Sequence, residues 1–364
     1  MKALIMVNRD FVLYNFRMEL VERLISEKWD VHICLPYGEK IDELIRMGCR
    51  FTNINIDRRG VNPVTDVHLL ANYIRIMRKI NPDIVLLYTT KVCIYGGIAA
   101  RALKIPYMEN ISGLGTAVEQ KGALQKITVF LYKEAVKRAR CIFFQNQENM
   151  DFFTQRGLVH GKYRLLPGSG VNLSRWRLMD YPDDSEHVVF LFIARVIREK
   201  GIEEYLAAAK QIRGEYPKSV FKVLGPCDGE YEEMLSEYEK AGIIEYCGEV
   251  SDTREYLRNA HCTIHPLYYP EGISNVLLES AACGRPVITT DRSGCRETAQ
   301  DGVTGFIFEE RSRKQLIDCV RRFMELDNGK RREMGLAGRA KMEREFDREL
   351  VTQAYMEELG EING

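Results

Sequence analysis

Cys262-Thr-Ile-His-Pro-Leu-Tyr-Tyr-Pro-Glu-Gly-Ile-Ser-Asn-Val-Leu-Leu-Glu-Ser-Ala-Ala-Cys-Gly-Arg-Pro-Val-Ile-Thr-Thr290 is the stretch that decides the fold class. Its first four residues read as a buried strand. Pro266 and Pro270 break the chain into a loop, and an apolar helix follows. Gly284 stops that helix, and Pro286–Thr290 reads as a new strand. A strand, a helix and a second strand in this order imply parallel pairing, with ligands taken at the loop after the first strand.

The same alternation runs outward in both directions. Toward the N-terminus, strands are expected at 3–7, 30–35, 51–56, 83–88, 107–111 and 141–145, with helices at 16–27, 41–47, 65–80, 95–103 and 124–139. A second series starts at His187. It has strands at 187–194, 220–224, 243–246, 262–265, 286–290 and 305–308, and ends in charged helices over 331–346 and 348–359. Such alternation is the signature of parallel sheets covered on both faces. The expected domains are 1–171, a polar linker 172–186, and 187–346. A last helix over 347–364 is expected to pack back on the first domain. Two such domains would face each other across a cleft.

Length and composition agree. At 364 residues the chain is too long for one ordinary core. Lys+Arg and Asp+Glu both total 52, so there is no global field to attract nucleic acid. No apolar run of about 18 residues marks a membrane span. Met1–Val7 is too short an apolar run for a signal peptide and is expected to be the first strand. Ten cysteines and six histidines are dispersed without metal spacing. Reduced thiols in the cytosol are the expectation, with no metal and no cofactor.

Glu271 and Glu279 stand eight apart. Glu271 would lie on a loop that runs into the apolar helix carrying Glu279, and at about 3.6 residues per turn the two carboxylates would point to roughly the same side. The amides of Gly272, Ile273, Ser274 and Asn275 would be the unpaired donors of the helix start, which attracts phosphate. Two solvated glutamates are the plain alternative. The flanking strands favour a ligand rich in hydroxyls and phosphate, such as a sugar nucleotide.

Three pieces carry a family resemblance: Phe192-Ile-Ala-Arg-Val-Ile-Arg-Glu-Lys-Gly201, the segment Glu271–Glu279 with Cys283-Gly-Arg-Pro-Val-Ile288 behind it, and Asp301-Gly-Val-Thr-Gly-Phe306. In this order and spacing the C-terminal half resembles the retaining GT-B glycosyltransferases of family four. The N-terminal half, through Tyr14-Asn-Phe-Arg17, Tyr88-Thr-Thr-Lys91, Ser112-Gly-Leu-Gly-Thr116 and Gly168-Ser-Gly-Val-Asn172, resembles bacterial enzymes that extend polyprenyl-diphosphate-linked oligosaccharides.

The resemblance implies an α/β GT-B fold and transfer of a hexose or N-acetylhexosamine from a nucleoside diphosphate sugar, expected to be UDP-linked. The acceptor would be a lipid-linked saccharide of capsule, O-antigen or N-glycan synthesis. No Asp-x-Asp motif follows a strand, so Arg195 and Lys200 would neutralise the leaving diphosphate. Glu279 would hold the ribose hydroxyls. Glu271 would hold the donor sugar together with the Gly272–Asn275 amides, and Gly272 would allow close backbone approach. The nucleobase is expected beside Gly225 and Val250.

Asn15, Arg17, Lys91, Gly113, Gly115 and Thr116 are the acceptor-side candidates. Some relatives carry a histidine near the last of these; this chain has none there, and Glu109 stands as a substitute base or a structural carboxylate. Front-face attack and a short-lived covalent intermediate both stay open. The basic amphipathic segment Gln120–Arg138 is expected to dock on the inner face of the plasma membrane, or else to be an ordinary sheet-covering helix. A nucleotide-sugar epimerase of the same fold is the alternative function. A dehydrogenase is disfavoured because no Gly-x-Gly-x-x-Gly follows the first strand of either half.

Overall fold

The computed structural model describes residues 1–57, 62–114, 122–227 and 229–361. The chain divides into two compact units. The first is Met1–Ser169 with Pro270–Gly272 and Arg348–Gly364; the second is Gly170–Tyr269 with Ile273–Asp347. Each is built on a parallel sheet, as the alternation implied.

In the first unit the strands are β1 (Lys2–Met6), β2 (Asp30–Leu35), β3 (Arg50–Asn53), β4 (Ile84–Tyr88), β5 (Tyr107–Ile111), β6 (Cys141–Phe144) and β7 (Lys162–Leu165), in the order β3-β2-β1-β4-β5-β6-β7. Strands β4, β5 and β6 are buried along their whole length because helices cover both faces. One face packs on α4 (Pro63–Ile80), α5 (Thr90–Leu103) and α6 (Ala123–Val136) through Tyr73, Met77, Val92 and Tyr132. The other packs on α1 (Asp10–Phe16), α2 (Met18–Ser26) and α3 (Ile41–Arg46) through Leu13, Leu24 and Leu44. The Asn62 side chain accepts from Val64 N at 3.0 Å and Pro63 opens α4, a start written in the sequence. Helix α7 (Gln147–Gln155) was not expected; Asn146 caps it by accepting from Asn149 N at 2.9 Å.

The second unit has β8 (Val188–Ile193), β9 (Ser219–Leu224), β10 (Glu245–Gly248), β11 (Cys262–His265), β12 (Val287–Thr290) and β13 (Gly305–Phe308), ordered β10-β9-β8-β11-β12-β13. Its helices are α8 (Ile202–Glu215), α9 (Glu232–Lys240), α10 (Arg254–Arg258), α11 (Asn275–Ala282), α12 (Arg313–Glu325) and α13 (Asn328–Glu345). In both sheets the chain starts in the middle, runs to one edge and returns to lay strands on the other side. The strand order therefore reverses between β1 and β4, and again between β8 and β11. Loops at the carboxyl ends of such pairs diverge and leave a crevice.

Three local expectations are corrected. Residues 10–16 form α1, so Asn15 lies on a helix and Arg17 sits between α1 and α2. Residues 172–186 do not hang free. Trp176 is buried, Arg285 donates to Asp180 O at 2.7 Å, and Arg331 pairs with Asp184 at 2.8 Å. Finally, α11 begins only at Asn275, later than the start expected at the Gly272–Asn275 amides, the Ser274 amide is bound to Gly294 O, and Glu271 groups with the first unit.

The chain ends in α14 (Arg348–Gly360), which belongs to the first unit. Arg348 donates to Asn15 O at 2.8 Å and pairs with Glu19 at 3.0 Å. The Tyr355 ring lies 4.3 Å from that of Phe143, and Asn110 Nδ2 donates to its hydroxyl at 3.0 Å.

Candidate active site

The loops after β8, β9 and β11 of the second unit interlock at the strand-order reversal. Val196 N donates to Pro226 O at 2.9 Å, and Gly225 N donates to Gly248 O at 2.8 Å. Gly225 has a φ of +143°, and a Cβ there would lie 1.8 Å from Ala194 O, so only glycine lets β9 end against β8. Gly201, φ +80°, makes the same close approach to Pro266 O. Tyr268 N donates to Glu199 O at 3.0 Å. The glycine of the Arg-x-x-x-x-Lys-Gly signature thus seats the β8 loop on the β11 loop.

Two cations stand on this platform. Arg195 is exposed, and its guanidinium makes no hydrogen bond or ion pair among the described residues. Lys200 Nζ lies 5.5 Å from the centre of the Tyr269 ring. The positive field of Lys200 reaches His265 of β11. Burial above all, and then the Lys200 charge, hold that imidazole down to about 3, so it is neutral. His265 Nε2 contacts Ser274 Oγ at 3.0 Å, Ser274 N donates to Gly294 O at 2.8 Å, and Thr289 Oγ1 donates to His265 O at 2.9 Å. Sequence reading took His265 only as part of a buried strand. Its signal was weak: one polar ring ending an apolar run.

Ile273 is buried in the core with Leu278 and anchors the loop into α11. Asn275 opens α11 with its Oδ1 buried and without a hydrogen-bond partner, and Glu279 is half-buried one turn further on. Val250 packs on the same cluster as Leu224 and Leu278, close to the carboxyl end of β9 where Gly225 lies. In the first unit, Asn146 Nδ2 donates to Glu271 O at 3.1 Å. A Cβ on Gly272 would lie 2.4 Å from Ser112 O, so backbone of its own unit crowds this glycine.

The acceptor-side candidates fare unevenly. Arg17 is buried, with its guanidinium 5.1 Å from the centre of the Tyr88 ring. Lys91 lies in the first turn of α5 and pairs with Asp66 at 2.7 Å. Asn15 Nδ2 donates to Phe11 O. Arg17 and Lys91 are thus engaged within the first unit. Gly113 sits where a Cβ would lie 3.5 Å from Glu271 Cα. Gly115 and Thr116 lie outside the described residues. Glu109 is fully buried in β5, and neither carboxyl oxygen has a hydrogen-bond partner. Burial raises its carboxyl well above the usual range. A carboxyl sealed in the core cannot reach a substrate, so Glu109 is structural.

A separate hollow of about 530 Å³ opens at the carboxyl ends of β1, β2 and β3, lined by Asn8, Arg9, Asp10, Tyr37, Asn55 and Asp57 among others. Side chains pin its rim: Asp10 accepts from Lys40 N at 3.1 Å, and Asn53 accepts from Tyr37 N at 3.0 Å. Tyr37 remains exposed, its hydroxyl on Asp42 and its ring edge-on to Phe51. At the neighbouring β4 end, Thr89 adopts φ +74°, a strained state for a β-branched residue and a frequent mark of functional loops.

Residues 180–341 match the family profile for glycosyl transferases group 1, and residues 3–146 match that for glycosyl transferase 4-like proteins. The chain belongs to the group 1 glycosyltransferases of the GT-B fold. It is a glycosyltransferase. It is 24% identical over 361 residues, 94% of each chain, to an N,N'-diacetylbacillosaminyl-diphospho-undecaprenol alpha-1,3-N-acetylgalactosaminyltransferase of Campylobacter jejuni. It is also 24% identical to the capsular polysaccharide biosynthesis glycosyltransferase CapM of Staphylococcus aureus, across 91% of this chain and 90% of that one. Anabaena HepE, solved with UDP and glucose, superposes with a TM-score of 0.78 at 17% identity, covering 99% of this chain and all of that one. Sucrose-phosphate synthase of Thermosynechococcus elongatus superposes at 0.79 and 18% identity, covering 99% and 98%. These likenesses of structure show the fold. Among the described residues no helix is long and apolar enough to cross a membrane, and no cluster of three metal-ligating side chains occurs.

Proposed function

We propose that this glycosyltransferase moves a hexose or N-acetylhexosamine, with retention, from a UDP-linked sugar to a polyprenyl-diphosphate-linked saccharide in cell-surface glycan synthesis. The observation that carries the reading is the open guanidinium of Arg195, placed with Lys200 at the strand-order reversal of the second unit. A planar fork without a partner among the described residues suits, in that position, the oxygens of a diphosphate. As the sugar–phosphate bond breaks, charge grows on the diphosphate, and both cations bind it more strongly than they bind the intact donor. Glu279 accepts from the ribose hydroxyls and Glu271 from those of the donor sugar. Gly225 and Val250 border the base, and the amides of Ile273 and Asn275 face the donor, while that of Ser274 is held by Gly294 O.

Support for the acceptor comes from the named activity of the Campylobacter relative. Within the first unit, the hollow ringed by Tyr37, Asp10, Asn55 and Asp57 offers a fixed aromatic face and planar polar groups, which suit a saccharide. Helix α6 supplies the approach to the carrier lipid. Leu124, Ile127 and Phe130 are exposed among Lys126, Lys133, Lys137 and Arg138. An apolar ridge edged with cations matches an anionic cytoplasmic leaflet. Gln120 and Lys121, which begin the expected segment, lie outside the described residues.

The test is transfer of labelled sugar from UDP-N-acetylhexosamines and UDP-hexoses to an undecaprenyl-diphosphate disaccharide, with and without chelator. Transfer with retention that survives chelation supports the reading. Interconversion of the donor sugar without acceptor would instead identify an epimerase. Sedimentation with vesicles containing anionic lipid, lost on Phe130→Glu, checks the membrane contact.

A further inference from the structure

Ser274 occupies the N-cap of α11 with an extended backbone, yet its side chain makes no capping hydrogen bond. A serine there ordinarily accepts from the second or third amide of the helix. Here those donors are Val276 and Leu277, and the first bond that closes a turn is Leu278 N to Ser274 O at 3.2 Å. The Ser274 hydroxyl is instead turned back onto His265 Nε2 at 3.0 Å. Three features hold this arrangement. His265 is 1% exposed, its carbonyl is bound by Thr289 Oγ1, and the Ser274 amide is bound to Gly294 O. His265 Nδ1 is buried without a partner. An unpaired buried lone pair costs less than an unpaired buried N–H, so the single proton of the neutral ring sits on Nε2. It is donated to Ser274 Oγ.

We infer that His265 is a positioning residue: by holding the hydroxyl of Ser274 away from α11, it keeps the first-turn amides of that helix open for the diphosphate of the donor. This rests on the donor reading above. An internal cap and an external anion compete for the same N–H groups. The imidazole decides the competition before any ligand arrives, so binding need not first displace a serine. The cost falls on the helix, which gives up its cap.

The competition predicts a pattern that plain structural support does not. In His265→Phe the hydroxyl is released and caps α11, and UDP and GDP bind about fivefold more weakly, the equivalent of roughly one N-cap. Ser274→Ala in that background removes the competing cap and restores the dissociation constants to within about twofold of wild type. Ser274→Ala alone changes them less than about twofold. His265→Gln, which keeps an N–H at a similar reach, binds as wild type does. The experiment is calorimetric titration of the full chain with UDP and with GDP, alongside melting curves without ligand. His265→Asn, too short to reach Ser274, replaces the Phe variant if that melts early. Wild-type affinity in His265→Phe while Lys200→Ala is weakened overturns the inference and leaves the donor reading standing. So does a loss in His265→Phe that Ser274→Ala fails to relieve. Absence of any UDP or GDP binding to wild type overturns the donor reading, and this inference with it.

Discussion

The two units place cations at equivalent points of their sheets and use them in opposite ways. In the second unit, the ends of the central strands β8 and β11 carry Arg195, exposed and without a partner among the described residues, and a neutral histidine under the field of Lys200. In the first unit Arg9 is exposed beside the hollow, but two other basic residues near β1 and β4 are engaged internally. Arg17 is buried against Tyr88, and Lys91 is paired with Asp66. One crevice therefore keeps a standing positive field for a polyanion. Beside the other lie carboxylates, amides, an aromatic face and Arg9, a mixed lining that suits the hydroxyls of a saccharide. The same strand order supports both, because the fold sets where loops end and the loops' partners set what charge is left over.

The largest effect should come from Arg195 and Lys200. Arg195→Ala and Lys200→Ala are each expected to lower kcat/KM by about 10²–10³-fold, the range for losing one preorganised donor to a developing anion. The melting temperature of Arg195→Ala should stay close to wild type, because its guanidinium has no partner among the described residues. Radiolabelled transfer with parallel calorimetry checks this.

Arg285 marks the contrast within the second unit. It is fully buried and donates to the carbonyls of Leu257, Asp180 and Arg258, with the Tyr181 ring 5.4 Å away. Arg285→Met should cost about 2–4 kcal/mol by leaving those carbonyls unpaired and loosening residues 172–186. Chemical denaturation reads this, and UDP affinity below the transition should be retained.

Lys91→Ala should reverse the signature of Lys200→Ala. Asp66, 13% exposed at its side chain, would lose its ion pair, at a cost of about 1–3 kcal/mol, while UDP binding stays unchanged. If Lys91→Ala instead kept its stability and raised KM for the acceptor, the division between the units would have to be redrawn.

The smallest effect concerns Glu109. Its folded carboxyl titrates above the ordinary range because burial disfavours the anion. The folded state binds the proton more tightly than the unfolded one. Its contribution is therefore full below the ordinary carboxylate pKa of about 4.3 and fades as pH rises toward the folded value. Glu109→Met should melt higher than wild type at pH 8, with a smaller lead at pH 5. Melting curves at the two pH values test it, and equal leads would show that the acid is not neutral in the fold.

Much of the fold was legible. Helical and strand periods recur along both halves, and caps such as Asn62 with Pro63 announce themselves locally. The failures share one cause. Residues 8–15 do not read as helical because Asn8, Arg9 and Asp10 are polar, yet Leu13 finds a core supplied by distant strands and α1 forms over it. The amides from Gly272 onward read as the helix start, but α11 begins only at Asn275, because Ser274 N is taken by the distant Gly294 O. Arg17 and Lys91 looked available because neither Tyr88 nor Asp66 is visible as a neighbour in one dimension. His265 gave little sign of its role, since Ser274 is nine residues away around a loop.

By itself the sequence determined the alternation of strands and helices, the two parallel sheets and the glycosyltransferase signatures, because periodicity and turn chemistry are local and depend only on neighbouring residues. Only the tertiary structure decided which charges face a ligand and which neutralise one another, and that an N-cap serine serves a histidine in place of its helix. Those choices depend on partners brought together from distant parts of the chain, and their energies exist only once the loops have closed around them.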